Sequence, residues 1–419
     1  MASPPQLRRR LGLADATFIG LGSMIGAGLF SAFTPAAQAA GAGLLVGLAI
    51  AAFVAFCNAT SSAQLAAQYP SSGGTYLYGR ERLGEWWGFA AGWSFVIGKT
   101  ASCAAMALTF AAYAAPPGFE RPIAVLAVLA LAAVNYRGVT RTALLTRVIV
   151  VVVLLLLVVV VAVVLGGSGA HQFPSATDWV SAGPLGILQA AGLLFFAFAG
   201  YARIATMGEE VREPARTIPR AITLALALTV LVYGIVALVL LSSLGAAGIA
   251  QTPTPLTEAV VTANAPWAVP LVRIGAAAAA LGALLGLIAG IGRTSLAMAR
   301  EGDLPRWLAA IHPRFEVPHR AEVVLALVVC VLVVTVDLRD AIGFSSFGVL
   351  LYYVVANLAA LTQTTAHRRY PRLLQIVGAI ACLLLVVTLP LPSVLIGVGV
   401  LGVGLAGRAV AHTRRTSIP

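Results

Sequence analysis

Gly22-Ser23-Met24-Ile25-Gly26-Ala27-Gly28 interrupts the first apolar stretch of this 419-residue chain. With Gly20, it places four glycines within nine residues. Glycine is the residue at which a helix most readily unwinds. In hydrocarbon every backbone N–H and C=O must be paired, so unwound backbone is tolerated only beside protein or a watery cavity. Taken alone, Gly22-x-x-x-Gly26 equally describes a close helix–helix contact. The rest of the chain has to separate the two readings.

Working outward, the chain is 60% hydrophobic and 10% charged, with a mean hydropathy of +0.94. Soluble domains carry about 25% charged residues, so an integral membrane protein is expected. Apolar runs of about 20 residues, the length of a membrane-crossing helix, recur from end to end. Ten-residue alternating strands are missing, which excludes a β-barrel. The expected spans are 14–34, 41–66, 86–114, 122–138, 145–166, 184–207, 221–245, 267–297, 321–336, 341–363, 373–390 and 391–410, about twelve in all. Thr34-Pro35 and Pro390-Leu391-Pro392 read as turn signals.

Arg8-Arg9-Arg10, followed by an apolar stretch and Pro35-Ala36-Ala37-Gln38-Ala39, mimics a signal peptide and its cleavage site. The glycines inside that stretch serve no purpose in a plain apolar core, so the first span is expected to stay. Cys57, Cys103, Cys330 and Cys382 fall inside apolar spans and read as small buried hydrophobes rather than a disulfide or metal framework.

The net charge of +12 is spread in short clusters between spans, with no basic domain, so nucleic acid is not the expected partner. Placing the amino terminus in the cytoplasm puts all but five of the 27 Lys and Arg residues on that face. The exceptions are Arg121, Arg273 and Arg339 towards the outside, and Lys99 and Arg203 within spans. Both termini are therefore expected in the cytoplasm of a multi-pass protein of the cytoplasmic membrane.

The sixth span carries a second expected break, Phe195-Phe196-Ala197-Phe198-Ala199-Gly200-Tyr201. Five spans separate the two breaks, and five is odd, so the second unit enters the membrane upside down. That is the logic of inverted-repeat transporters, whose discontinuous helices meet at the midplane. Free N–H groups there suit a carboxylate; free C=O groups suit an ammonium or a metal cation.

These motifs resemble the amino acid–polyamine–organocation (APC) transporter superfamily. The resemblance begins at Leu11-Gly12-Leu13 and Gly22 to Phe30, and continues through Tyr69-Pro70-Ser71-Ser72-Gly73-Gly74-Thr75-Tyr76. It returns at Phe195 to Tyr201, Glu209-Glu210, Pro214 and Ile218-Pro219-Arg220-Ala221-Ile222, then at Arg300-Glu301-Gly302-Asp303-Leu304-Pro305, His312 and Pro318. In order and spacing the set covers about residues 11–365.

The resemblance implies an all-α LeuT-type fold with a 5+5 inverted repeat, discontinuous helices 1 and 6, and two C-terminal helices. The expected divisions are 1–166, 167–365 and 366–419. It implies amino acid or amine transport by alternating access. The substrate carboxylate would meet N–H groups around Gly26, Ala27 and Gly28. Its ammonium would meet carbonyls of Ser23, Met24 and Ile25 and of Phe198, Ala199 and Gly200. Phe198 and Tyr201 would be aromatic walls or gates.

Ionisable residues narrow the substrate, because inside a membrane they are expensive and default to function. All fifteen Asp and Glu fall in loops or at span ends, and no His lies within a span. A cationic side chain would want a buried carboxylate, so neutral amino acids are expected. An acidic amino acid or organic anion using Lys99 and Arg203 is the alternative. Lys99, the only lysine, stands 13 residues after Trp86 and 14 before Tyr113. That is about 20 Å from either edge, too deep to snorkel fully. It is the coupling candidate, placed to exchange a proton or to contact a carboxylate; the competing role is structural. Arg203, three residues past the second break, is a gate candidate beside Glu209 or Glu210.

Many members of the resembled superfamily carry a lysine in the fifth helix in place of a bound sodium ion; here that position falls near Val153. Sodium sites want oxygen ligands, and residues 271–292 of the eighth span contain no Ser or Thr. Sodium coupling is therefore not expected, whereas proton coupling or exchange is. No cofactor or metal is expected. A membrane-embedded enzyme would need a ligand set or a nucleophile–base pair near one face, and neither stands out. A sensor would need an output domain, for which tails of about ten residues leave no room.

Overall fold

The computed structural model describes residues 11–70, 73–138, 142–167, 174–175 and 177–416. Arg8 to Arg10, Ser71-Ser72 and Arg141 lie outside them. Seventeen α-helices follow one another, and among the described residues the only β-pairing is an isolated bridge between Leu11 and Val211. The first crossing comprises α1 (Leu13–Ile25), α2 (Ala27–Ser31) and α3 (Phe33–Ala40). It is followed by α4 (Leu44–Gln68), α5 (Gly74–Leu83), α6 (Glu85–Ala114), α7 (Glu120–Tyr136) and α8 (Thr142–Gly166). The second half begins with α9 (Gly183–Phe198), α10 (Ala202–Ala205), α11 (Pro214–Gln251), α12 (Pro255–Thr262) and α13 (Val269–Arg300). The chain ends with α14 (His319–Thr335), α15 (Leu338–Leu361), α16 (Arg372–Thr388) and α17 (Leu391–Thr416).

Among the described residues, nine helical stretches are long and apolar enough to cross a membrane. One of them, Phe33–Gln68, folds back at Gly41 (φ 55°) and so joins the end of the first crossing to the second. Helices α7, α14 and α16 have 17 residues each, about 26 Å of rise, the short end of the spanning range. With these, the expected set of about twelve crossings is complete. Large apolar side chains such as Leu155, Val331 and Val403 stand more than half exposed on the outer helices, where only lipid makes exposure favourable.

Three expectations about elements need correction. Thr34-Pro35 does not end the first crossing. Pro35 sits in the first turn of α3, where its missing N–H costs nothing, and the helix runs on to Gly41. Helix α11 begins seven residues earlier than expected because Pro214 opens it at its first turn. Helices α5 and α12 lie in stretches read as plain loops.

The breaks are tied down from one end. Asp15 accepts from the Gly12 N–H at 3.1 Å and pairs with Arg147 of α8. Leu11 N–H donates to Glu210 C=O at 3.1 Å, and Arg212 N–H to Leu11 C=O at 2.9 Å. The start of the first discontinuous helix is thus stitched to the segment after the second.

Candidate functional site

Helix α1 stops at Gly26, whose φ of −52° and ψ of −134° start α2 in a new direction. The second break is softer: α9 tightens into a 3-10 turn over Ala199–Tyr201 before α10. The two breaks touch. A Cβ at Gly200 would lie 2.7 Å from Met24 N and nearer still to the Ser23 carbonyl; one at Gly28 would lie 2.6 Å from Ala197 Cα. Neither position admits a side chain without moving backbone. Gly22 packs on Thr146 and Val150 of α8, and Gly26 on Ala283 of α13. Break and close contact are therefore one feature, and the alternatives posed by the sequence both hold.

Breaking the ladder frees carbonyls, and the protein supplies donors for them. The Tyr233 hydroxyl donates to Met24 C=O, with Ala197 C=O also in reach at 3.1 Å. Lys99 Nζ donates to Ala199 C=O at 3.2 Å, joined by the Tyr353 hydroxyl at 3.4 Å. Lys99 is only 6% exposed, so its depth matches the helical count.

Beside this junction lies a cavity of about 70 Å³, room for about five water-sized groups. Helix α6 contributes Phe95, Lys99, Ser102 and Met106 from one face. The breaks contribute Ser23, Phe196, Ala199, Gly200, Ala202, Arg203 and Thr206. Helix α13 completes it with Ala283, Gly286, Leu287, Gly290, Arg293 and Thr294. Arg293 is 60% exposed along its side chain, so the cavity opens towards the arginine-rich face. The other end is shut: the Tyr113 hydroxyl donates to Phe30 C=O at 3.0 Å, and Thr34 Oγ1 to Thr252 C=O at 2.7 Å. Phe30 meets Tyr113 edge-on at 5.7 Å, and Phe33 meets Tyr233 at 6.4 Å.

Of the residues singled out in the sequence, Ser23, Ala199, Gly200, Lys99 and Arg203 line the cavity. Met24, Ile25, Phe198 and Tyr201 are buried behind it, Phe198 against Tyr233 at 5.1 Å and Tyr201 stacked on Tyr353 at 5.2 Å. Gly26 and Gly28 do not line it and are held by Ala283 and Ala197, and the Ala27 side chain lies outside the described ones. Phe196 rather than Phe198 lines the space.

Arg203 has no carboxylate within 4 Å among the described residues, and Glu210 pairs instead with Arg293 at 3.5 Å. The sequence reading missed Arg293 and the α13 wall. The signal was there: Ala283, Gly286, Gly290 and Arg293 fall on one helical face, small residues ending in a charge. No Asp or Glu lines the cavity, and no cluster of metal-ligating side chains occurs among the described residues. Val153, near which the resemblance led a fifth-helix lysine to be looked for, is a buried apolar residue of α8.

The comparisons with known proteins fit this geometry. The amino acid permease family model matches residues 11–402. An uncharacterized transporter of Mycobacterium tuberculosis (strain ATCC 25618 / H37Rv) is 59% identical over 98% of this chain and 94% of its own. The branched-chain amino acid permease BcaP of Bacillus subtilis (strain 168) is 25% identical over 87% of this chain and 83% of its own length. A chloroplastic cationic amino acid transporter (number 6) of Arabidopsis thaliana is 28% identical over 85% of this chain and 66% of its own. The chain is a multi-pass membrane transporter rather than an enzyme, and it belongs to the amino acid permease family of the APC superfamily.

Proposed function

We propose that this protein moves neutral amino acids across the cytoplasmic membrane by alternating access, with proton coupling or exchange and without sodium. The observation that carries the proposal is the cavity at the junction of two broken helices, lined by cations and by no carboxylate. Its volume suits a small substrate. The carbonyls of Met24 and Ala199 already draw Tyr233 and Lys99 as donors, which supports a role for these carbonyls in meeting an ammonium. The N–H groups around Gly26, Ala27 and Gly28 are assigned to the carboxylate after rearrangement of α13 away from Gly26. Ser23, Met24, Ile25, Phe198, Ala199, Gly200 and Tyr201 complete the proposed substrate shell, with Phe198 and Arg203 as gates.

Both termini are placed in the cytoplasm, the first and second five-helix units in 1–166 and 167–365, and the last two helices in 366–419. In this assignment the cavity opens inward. Lys99 is assigned to coupling: it occupies a freed carbonyl that a bound cation would otherwise satisfy, so losing its proton alters the site at the break. The absence of hydroxyls over residues 271–292 supports proton rather than sodium drive.

A second reading rests on the same lining. Lys99 and Arg203 both face the cavity without a carboxylate, which suits an acidic amino acid or organic anion. Uptake of a radiolabelled amino acid panel into proteoliposomes, with imposed proton and sodium gradients, decides between them. Neutral substrates taken up under a proton gradient are expected. Faster flux of a cationic amino acid would sink the proposal, and preference for an acidic one that is lost in Arg203→Gln would establish the second reading.

A further inference from the structure

A carboxylate that the transport site does not use stands behind α13. Glu322 lies in the first turn of α14, where an acidic residue offsets the helix dipole and ordinarily stays in water. Here it is only 3% exposed, and its Oε2 has no hydrogen-bond partner among the described residues. An ionised carboxylate held this way is expensive unless it is paired or takes up a proton.

Its surroundings supply access on one side and the transport site on the other. A second cavity, about 580 Å³, opens between α7 and α14 and is lined by Leu129, Tyr136, Arg137, Phe315, Glu322 and Leu327 among others. It is an open groove, apolar along Leu129 and Leu327 and polar where Tyr136 and Arg137 border it. From the opposite side the α13 backbone presses on the carboxylate: a Cβ at Gly292 would sit 3.4 Å from Glu322 Oε1. The next residue is Arg293, which lines the central cavity and pairs with Glu210. Among the described residues, the titratable groups on this side are Tyr136 at the end of α7 and Arg137 just after it, which line the same groove, and His312 and His319, whose rings meet Tyr136. The His312, His319 and Tyr136 rings cluster within 6.1 Å of one another, and His319 Nδ1 is buried without a partner among the described residues.

We propose that Glu322 is a proton-binding site that sets the partner of Arg293, and through it the cytoplasmic end of the central cavity. The proposal rests on the transport reading above. A proton passes from water at the Arg137 end of the α7–α14 groove to Glu322 Oε2, turning the carboxylate into a neutral acid; no other bond changes. With Glu322 neutral, Arg293 stays on Glu210, as in this structure. With Glu322 ionised, Arg293 is drawn across Gly292, leaving Glu210 and widening the cavity mouth.

Infrared difference spectra of the purified full-length protein between about pH 5 and about pH 8 read the site without any transport. A carboxylic-acid C=O band is expected to titrate in the native protein and to be missing in Glu322→Gln; the histidines contribute no such band. In proteoliposomes, gradient-driven uptake should fall at least tenfold in Glu322→Gln while counterflow exchange stays within about twofold. Glu322→Asp, which keeps the acid, should restore gradient drive and shift the band, and it carries the test should the Gln variant fail to fold. An unchanged band in Glu322→Gln, native gradient dependence in that variant, or an Asp variant lacking both band and drive would each overturn the proposal. Loss of counterflow in the native protein would instead refute the transport reading, while the band would still decide the proton site.

Discussion

Two groups of buried charge sit along the C-terminal half of α13 and the loop that follows it, and they are built on opposite principles. At Asp303 every charge has a partner. Its carboxylate, with a side chain 5% exposed, accepts from the Tyr76 hydroxyl at 2.8 Å and Arg80 at 3.1 Å, and pairs with Arg408 of α17. Arg408 also reaches Glu85 at 3.4 Å and lies over the Trp86 and Phe89 rings at 5.1 and 4.9 Å. In the central cavity, Lys99 has only a carbonyl and Arg203 no carboxylate within 4 Å among the described residues. Saturated charge fixes α5, α6, α13 and α17 together. Unsaturated charge costs stability and is retained for what it can bind.

The comparison breaks if the two groups respond alike to substitution. Asp303→Asn should have the largest effect on stability, about 3 kcal/mol, because it strands Arg80 and Arg408 without their shared anion. A lowered thermal midpoint and poor recovery in detergent check it. Gly200→Ala comes next, at about 1–3 kcal/mol for overpacking against the first break, and uptake should be lost with it because the two breaks are forced apart.

Tyr76→Phe should cost about 1 kcal/mol for one hydrogen bond. Burial, and then the Asp303 carboxylate it donates to, push the Tyr76 phenol above its ordinary value. The protonated donor is therefore favoured in the folded state. The gap between native and Tyr76→Phe should be fully present below the unfolded phenol's pKa of about 10, and lost only as pH rises through the higher folded value. A gap that closes below that pH would remove the phenol from the cluster.

Lys99→Met should have the smallest effect on the thermal midpoint, neutral or slightly stabilising, since it removes a buried cation that has no anion. Yet pH-driven uptake should be abolished while exchange survives. A fall in stability like that of Asp303→Asn would turn Lys99 into architecture and erase the contrast.

The same contrast explains what could be read in advance. Gly22 to Gly28 and Phe195 to Tyr201 were legible because unpaired backbone in hydrocarbon is so costly that few sequences tolerate it. Lys99 was legible for its depth, which helical rise alone gives. Glu322 and Asp303 were not. Both lie at span ends, and whether such a carboxylate is wet or buried depends on how the neighbouring helices and loops close over it. Nor was Arg293 singled out, since a charge near the end of a span reads as a boundary marker until its neighbours show a cavity beside it.

The sequence by itself determined the membrane class, about twelve crossings and the first and sixth helices as the places where backbone comes free, because hydropathy and glycine act locally. Only the tertiary structure decided which freed carbonyls Tyr233 and Lys99 occupy, and that Gly26 and Gly28 are packed against Ala283 and Ala197. It also decided that Asp303 is saturated while Glu322 Oε2 is not. Hydrogen-bond partners come from helices far apart in the chain, and no local pattern records which of them meet.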